Sequence, residues 1–305
     1  MEIQRRRSRM RRARTGKRIE LTSRDIEIFK LLSRYRYLRS TYIHAFVGGA
    51  SETRFKERLG DLFHEGYLDR PSRQWEMADC RHRPVIHELG AGARRVLEQQ
   101  NAAQEPRTWL GASVHRQFTH SLMVCETLAS IELGTRLCPG VRFISWPEIL
   151  AKAPASTRAS PVPFRFPAPA TSCGVVPDGL FGLEYLFGEA KTYRFFALET
   201  DRGTMPIVRS DQNQTSYMGK LAAYQDLISR QVYKSHLGIP NLLVLTVTTD
   251  NQRLEEIMSR FTEQGDGAAA FLFKVLADRE RTLPVPQLVT EPWQRIRSLP
   301  LRIDR

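Results

Sequence analysis

Two acidic clusters decide the fold of this chain, Val176-Pro177-Asp178-Gly179 and Ala197-Leu198-Glu199-Thr200-Asp201. Each cluster adjoins a short apolar run, and residues 187–193 between them are typical of a hairpin turn. An antiparallel pairing about this turn sets Asp178 opposite about Thr200. Glu199 and Asp201 then share one strand face, because side chains alternate along a strand. The sequence therefore predicts that three carboxylates converge at one end of a sheet.

This carboxylate arrangement suits a hard divalent cation. Mg²⁺ and Mn²⁺ prefer oxygen ligands, and phosphodiester chemistry uses them to polarise a phosphate and to activate water. Asp178, Glu199 and Asp201 are therefore candidate ligands for Mg²⁺ or Mn²⁺. Alternatively, these acids are ordinary strand-end and turn residues, positions where Asp is common.

The charge of the chain favours a polyanionic partner or an anionic membrane surface. The 305 residues carry a formal net charge of +13, with a sequence pI near 10.0. Residues 1–18 hold nine basic side chains against the single acid Glu2 and so contribute +8 of this charge. With almost no apolar content, residues 1–20 are predicted to be a basic tail that stays disordered until it meets phosphates. A solvated arm or a localisation signal has the same composition.

Length and composition predict two folded domains in a cytoplasmic protein. No apolar run approaches the roughly 18 to 20 residues that a spanning helix needs, and the arginine-rich start lacks the apolar segment of a secretory signal. The four cysteines are scattered without a C-x-x-C pair, which is typical of free thiols in a reducing compartment.

Residues 21–100 have the element order of a winged helix-turn-helix domain. Thr22-Ser23-Arg24-Asp25 resembles a capping box, with Asp in place of the usual Glu, and marks the first helix start. An arginine-rich connection between two later strands is predicted to be the wing. The predicted elements are helices over 23–35, 40–46 and 51–65, strands near 66–70 and 84–89, and a helix over 90–100. A winged helix that binds protein is the alternative, although it lacks such a basic face.

The third helix is the candidate for reading DNA. In helix-turn-helix proteins the N-terminal residues of this helix reach base edges, and basic neighbours contact phosphates. The candidate DNA-binding residues are Ser51, Thr53, Arg54 and Lys56 at the bases, Arg58 on phosphate, and Arg81 and Arg83 in the wing.

Residues 101–111 are predicted to be a linker, and residues 112–305 a second domain with the order αβββαβ. A long amphipathic helix starts it, and a continuous apolar run typical of a buried strand ends the core. The predicted elements are a helix over 112–136, a strand over 141–146, a proline-rich loop over 154–169, the acidic hairpin, a helix over 216–233 and a strand over 242–247.

This α+β or α/β order resembles the core of the PD-(D/E)XK nuclease superfamily, the restriction-endonuclease-like fold. Pro177-Asp178 and Glu199 match its first two motif elements, and the resemblance implies catalytic roles for both acids. Two residues after Glu199, where the superfamily has a lysine, this chain has Asp201. Some members carry the lysine on the following helix, where this chain offers Lys220, on one face with Tyr224 at i, i+4. A solvated lysine is the alternative. Glu126, on the first helix, is a further candidate carboxylate.

From Leu21 to about Asp250 the chain resembles the replication-relaxation family of bacterial plasmids and mobile elements. The order of several short motifs carries the resemblance: Leu21-Thr22-Ser23-Arg24-Asp25, Thr53-Arg54 through Arg58-Leu59 to Gly66-Tyr67-Leu68, Pro177-Asp178-Gly179, Leu198-Glu199-Thr200-Asp201-Arg202-Gly203-Thr204, and Lys220 through Tyr224. The resemblance implies a protein that binds double-stranded DNA, supports plasmid replication and the topological state of plasmid DNA, and has a nuclease-like second domain. Other replication or conjugation proteins are further expected partners, and a homodimer is compatible with the sequence.

Three functions remain open at this point. The first is a DNA-binding protein on a degenerate nuclease fold. The second is a metal-dependent nickase in which Asp178, Glu199 and Asp201 hold the ion and Lys220 orients water. The third is a winged-helix transcriptional regulator. ATP-driven action is not expected, because the sequence has no glycine-rich phosphate loop followed by Lys-Ser/Thr.

Overall fold

The computed structural model describes residues 8–13, 16, 18–49, 51–100, 118–167, 174–207, 216–262 and 268–305. The chain is mixed α+β, in agreement with the predicted fold class. It divides into two compact units: unit 1 is residues 1–106 with 282–284, and unit 2 is residues 107–281 with 285–305. Within the described ranges, no helix has both the length and the apolar character that crossing a bilayer requires.

Unit 1 combines four helices of the described chain with a small antiparallel sheet of order β1-β3-β2. Helix α1 begins at the predicted capping box, in which Thr22 and Asp25 bond to each other's main chain. The predicted helices are confirmed to within a few residues. The elements are α1 (Ser23–Tyr35), β1 (Leu38–Arg39), α2 (Ser40–Val47), α3 (Glu52–His64), β2 (Leu68–Asp69), β3 (Ile86–Leu89) and α4 (Ala91–Gln99).

The connecting segment of unit 1 (residues 70–85) is more folded than the predicted polar loop. It contains a 3₁₀ turn over Ser72–Glu76. The buried Gln74 side chain accepts from the Ile86 N–H at 2.9 Å and donates to the Ile86 carbonyl at 3.0 Å. One amide thus satisfies both backbone groups of a residue in β3, which fixes the segment against the sheet.

Part of the predicted basic tail makes defined contacts with unit 1. Residues 8–13, which we call the arm, lie against unit 1: Arg12 donates to the carbonyls of Phe63 and Leu68, and Arg9 donates to the carbonyls of Arg81 and Arg83. The remaining residues of the tail include positions outside the described residues. Arginine side chains can dock on exposed main-chain carbonyls without any apolar burial, which composition alone does not reveal.

Unit 2 is a five-stranded sheet of order β4-β5-β6-β7-β8 with helices packed on it. Strands β4, β5 and β6 are antiparallel neighbours, whereas β6, β7 and β8 run parallel. Helix α5 packs against β6 and β4. The elements are α5 (Phe118–Thr135), β4 (Val141–Ile144), α6 (Trp146–Lys152), α7 (Ala155–Arg158), β5 (Gly179–Phe187), β6 (Ala190–Asp201), α8 (Tyr217–Ser229), α9 (Val232–Leu237), β7 (Leu243–Thr248), α10 (Asn251–Thr262), β8 (Phe271–Val275) and α11 (Gln287–Thr290).

The acidic hairpin is confirmed, with two corrections nearby. Gly179 pairs with Leu198, one residue away from the predicted register. The strand predicted over 141–146 ends at Ile144, because Ser145 and Glu148 form a capping box that starts α6 at Trp146.

The described part of the proline-rich excursion is anchored on α9. The Thr157 hydroxyl donates to the His236 carbonyl, and His236 Nε2 lies 2.7 Å from the Pro163 carbonyl. Phe166 pairs with Val175 in an isolated bridge, which returns the chain toward Asp178. Residues 168–173 lie outside the described residues.

Candidate functional site

The predicted acids lie at the end of the β5-β6 hairpin that is remote from its turn. Asp178 directly precedes β5, and Glu199, Thr200 and Asp201 end β6. The three carboxylic residues are buried, with exposures of 3%, 1% and 3% for Asp178, Glu199 and Asp201. Buried carboxylates are costly unless they are hydrogen-bonded or paired with a cation, so their partners define the site.

Lys220 joins two of these acids. Its Nζ bonds Glu199 Oε2 and lies 3.6 Å from Asp178 Oδ1. The lysine stands in the first turn of α8, a helix that Ser216 caps by accepting from the Gly219 N–H at 3.1 Å. The structure thus brings together the three side chains that the sequence proposed as catalytic.

Tyr224 supports Glu199 from one helical turn beyond Lys220. Its hydroxyl donates to Glu199 Oε1 at 2.5 Å, so both carboxylate oxygens of Glu199 are engaged. Burial raises the pKa of Tyr224 well above its ordinary value, and the charge of Glu199 raises it further. Tyr224 therefore remains a hydrogen-bond donor at neutral pH.

Glu199 has an unusual protonation equilibrium. Burial raises its pKa to about 7, Lys220 opposes this rise, and the neighbouring charge of Asp178 adds to it. A carboxyl group with a pKa near neutrality can exist in both protonation states at physiological pH, a property that is concentrated at functional sites.

Asp201 pairs with an arginine of unit 2. Arg253 on α10 donates to Asp201 through Nε at 2.6 Å and Nη2 at 3.3 Å, and the Gly203 N–H donates to it as well. In the described ranges, no group of three His, Cys, Asp or Glu side chains is arranged to hold a metal ion. The third predicted ligand thus pairs with an arginine from a helix that the sequence did not predict.

The remaining pair of carboxylates still fits a divalent cation. Mg²⁺ is commonly held by one or two protein carboxylates, with waters and substrate phosphates completing the octahedron. Asp178 and Glu199 supply two such carboxylates around one ammonium group. They are the residues that could hold Mg²⁺ or Mn²⁺.

His120 belongs to the site although sequence reasoning missed it. From α5, its Nε2 lies 3.2 Å from Asp178 Oδ2 and its Nδ1 lies 3.4 Å from Thr200 Oγ1. Asp178 Oδ2 also accepts from the Thr200 N–H at 2.9 Å. Glu126, the acid that was considered on this helix, lies instead 3.7 Å from Arg281. A single histidine on an apolar helix gives no sequence signal for this contact.

These side chains line a cavity of about 300 Å³. Two cationic side chains, Arg202 and Lys220, line it together with the acids, and no described residue of the proline-rich excursion does. The lining residues are His120, Asp178, Glu199, Thr200, Asp201, Arg202, Thr204, Met205, Tyr217 and Lys220. The cavity thus offers carboxylates and cations to one small polar group.

In unit 1 the candidate DNA-binding residues differ in their surroundings. Ser51 caps α3 by accepting from the Arg54 N–H at 3.3 Å. Thr53 and Arg54 are exposed, and Lys56 pairs with Glu52 at 2.7 Å on the surface. Arg81 is exposed and Arg83 is half-buried.

Arg58, the predicted phosphate contact, has protein partners within unit 1. Its guanidinium donates to both oxygens of the buried Asp25 and to the Glu20 carbonyl. Burial alone would raise the pKa of Asp25, but the hydrogen bonds from Arg58 and Thr22 lower it overall. Arg58 therefore anchors α3 to the start of α1.

Arg58→Ala is expected to destabilise unit 1 by about 2 kcal/mol, because it leaves a buried carboxylate without its cation. Arg54→Ala on the same helix is the matched control and should change the free energy of unfolding by less than about 0.5 kcal/mol. Chemical denaturation of both variants measures the difference. Equal stabilities would contradict the anchoring role.

The fold and site define a mixed α+β protein with a buried carboxylate and lysine cluster at one sheet end. The chain belongs to the replication-relaxation family, whose family model matches residues 29–243. This confirms the family resemblance of the sequence. No curated protein and no solved structure matches the chain.

Proposed function

We propose that this protein binds duplex DNA through unit 1 and cleaves a phosphodiester bond through unit 2 in a metal-dependent reaction, acting in plasmid replication and relaxation. The observation that carries the proposal is the contact of Lys220 with both Asp178 and Glu199 at a cavity. A nuclease needs such a combination, since carboxylates hold a cation and a lysine stabilises charge that builds on the phosphate.

The element order of unit 1 supports a winged helix. Three helices, a three-stranded antiparallel sheet and a connecting segment between β2 and β3 follow one another in the order that this module requires. Helix α3 is then the recognition helix, and its exposed Thr53 and Arg54 are the residues that read base edges.

The element order of unit 2 supports a nuclease-like core. Helix α5, the antiparallel strands β4, β5 and β6, helix α8 and the parallel strand β7 follow in the order αβββαβ, with α6 and α7 inserted between β4 and β5 and α9 between α8 and β7. The acids at the ends of β5 and β6 and the lysine on α8 correspond to the superfamily positions, with the lysine moved to the helix.

Each side chain of the site then has a defined task. Asp178 and Glu199 would hold Mg²⁺ or Mn²⁺, which supplies Lewis-acid polarisation of the phosphate when bound. Lys220 orients the attacking water and stabilises the charge that develops on phosphate oxygens. Tyr224 fixes the rotamer of Glu199, and His120 and Thr200 fix that of Asp178.

The test is incubation of the purified protein with supercoiled plasmid in Mg²⁺, Mn²⁺ or EDTA. Metal-dependent conversion to nicked circles is expected for the wild type and is expected to disappear in Asp178→Asn. Glu189→Gln, which neutralises an acid at the opposite end of the same hairpin, is the matched control and should nick normally.

Binding without cleavage is the second candidate function. It is favoured by the ion pairs, since Lys220 neutralises Glu199 and Arg253 neutralises Asp201 without any metal. Intact plasmid in every lane, with the DNA still shifted in a gel, would select this function over cleavage.

Arg54→Ala is expected to weaken binding to a preferred duplex by about 1 to 3 kcal/mol and to relax base choice at one position. The preferred duplex is obtained by selection from a random pool, and fluorescence anisotropy gives the affinities. Arg95→Ala, an equal loss of exposed charge on α4, is the control. Equal losses on all sequences after Arg54→Ala would contradict the role of α3 in base reading.

A further inference from the structure

The arm is held by Arg12, whose guanidinium donates to two main-chain carbonyls of unit 1. Its Nε donates to the Phe63 carbonyl in the last turn of α3 at 2.9 Å, and its Nη2 donates to the Leu68 carbonyl at 2.9 Å. Helix C-termini attract cations, and β2 is an edge strand, so both carbonyls lie where a guanidinium is favoured. The Asp69 carboxylate, 3.3 Å from Nη2, adds an ion pair.

Further contacts fix the arm along its length. The Ala13 N–H donates to Nδ1 of the buried His64 at 3.1 Å, and Arg70 donates to the Arg9 carbonyl at 2.8 Å. The guanidiniums of Arg12 and Arg70 both lie near the Phe63 ring, 5.3 Å and 4.0 Å from its centroid. The path of the arm backbone is thus set by α3 and by β2.

The arm also holds the connecting segment. Arg9 donates through Nη1 to the Arg81 carbonyl at 2.7 Å and through Nη2 to the Arg83 carbonyl at 3.1 Å. One guanidinium therefore bridges Arg81 and Arg83, the two residues of the connecting segment whose side chains are predicted to contact DNA. Arg11, between the two anchoring arginines, is exposed, and its side chain makes no hydrogen bond to the described residues.

We propose that the docked arm and the connecting segment form one surface that contacts the phosphates of duplex DNA, in which Arg9 and Arg12 position the arm and Arg11 and Arg81 face the backbone. The surface rests on the proposed DNA binding of unit 1 and specifies a second contact besides α3. A main chain that is already held in place loses less conformational entropy on binding than that of a disordered tail, so Arg11 and Arg81 start from fixed positions. Phosphate contacts of this kind add affinity without base choice.

The competing explanation is that the tail acts through its charge alone. Arg11 and Arg12 separate the two explanations, because both carry the same charge at adjacent positions and only Arg12 anchors the arm. If charge alone matters, Arg11→Ala and Arg12→Ala have equal effects, and Arg12→Lys has none. If docking matters, Arg12→Lys also weakens binding, since an ammonium cannot reproduce the forked geometry of a guanidinium on two carbonyls.

The experiment measures duplex affinity of the full chain by fluorescence anisotropy over a series of salt concentrations. We expect Arg11→Ala to lower the salt slope by about one, and Arg12→Ala to lower it by about two or more, because the whole arm is lost. Arg12→Lys should bind several-fold more weakly than the wild type, whereas the matched Arg11→Lys should not.

Hydrogen exchange gives a readout that needs no DNA. The Ala13 amide should be protected in the wild type and in Arg11→Ala, and unprotected in Arg12→Ala. Equal slopes for the two alanine variants, or unchanged exchange in Arg12→Ala, would overturn the proposal. A wild type that binds no duplex would remove the proposed function and this surface with it, while protection at Ala13 would still establish the docking.

Discussion

Lys220→Met is expected to slow metal-dependent nicking by about 10²-fold to 10³-fold, while duplex binding by unit 1 stays unchanged. Methionine keeps much of the length of the side chain and removes its charge. The ammonium of Lys220 contacts both Glu199 and Asp178, so its removal takes away the cation nearest the two acids. Plasmid nicking and fluorescence anisotropy on the same preparations separate catalysis from binding.

The protonation of Glu199 is a second reason why Lys220→Met should nick more slowly. Lys220 lowers the pKa of Glu199 against the effect of burial, so its removal should raise that pKa further above about 7. Glu199 would then be protonated at neutral pH and would lose its value as a carboxylate ligand. The loss of the Lys220 charge and the protonation of Glu199 should therefore both slow nicking.

Lys234→Met is the matched control, because Lys234 is an exposed lysine on α9 whose ammonium bonds Gln231. It should nick at the wild-type rate. Wild-type nicking by Lys220→Met would show that Lys220 serves as a structural partner of the buried acids. Loss of DNA binding together with nicking would instead indicate that unit 1 depends on this site.

Much of the site could be predicted because its signals are local in sequence. A hairpin relates Asp178 and Glu199 through one short turn, and strand alternation places Glu199 on a defined face. The spacing of Lys220 and Tyr224 brings both onto one helix face, and both bond Glu199. The capping box of Thr22 and Asp25 is similarly local and sets the start of α1.

Partners that are remote in sequence could not be predicted. Arg253 follows Asp201 by 52 residues, and Arg58 follows Asp25 by 33. A local sequence pattern does not predict which acid an arginine will pair with, because such pairs form only when the helices pack together. The docking of the arm could not be predicted for a related reason. A basic segment without apolar residues is typical of disorder, and this docking depends on main-chain carbonyls that amino-acid composition does not reveal.

Glu199→Gln is expected to make the protein more stable than the wild type at neutral and alkaline pH in EDTA. In the unfolded chain Glu199 ionises near its ordinary pKa of 4.5, whereas in the native state it keeps its proton until about pH 7. Between these values the native state binds more protons than the unfolded state, so the free energy of unfolding of the wild type falls as pH rises. Below about pH 4.5 Glu199 is protonated in both states and does not change the free energy of unfolding. Above about pH 7 Glu199 is ionised in both states, and the wild type should be less stable than the variant by about 3 kcal/mol.

Glu184→Gln is a control in which the pH dependence of stability should have the opposite sign. Glu184 lies on β5, and the hydrogen bond and charge of Arg142 lower its pKa. A lowered pKa stabilises the native state above the unfolded value, so this variant should lose stability relative to the wild type as pH rises through the ordinary range of glutamate. Urea denaturation from about pH 4 to about pH 8, followed by tryptophan fluorescence, measures both differences. A difference between Glu199→Gln and wild type that does not change with pH would mean that Glu199 ionises normally in the folded protein. The role of Glu199 at the site would then depend on its contacts with Lys220 and Tyr224, without a proton that can be exchanged near neutral pH.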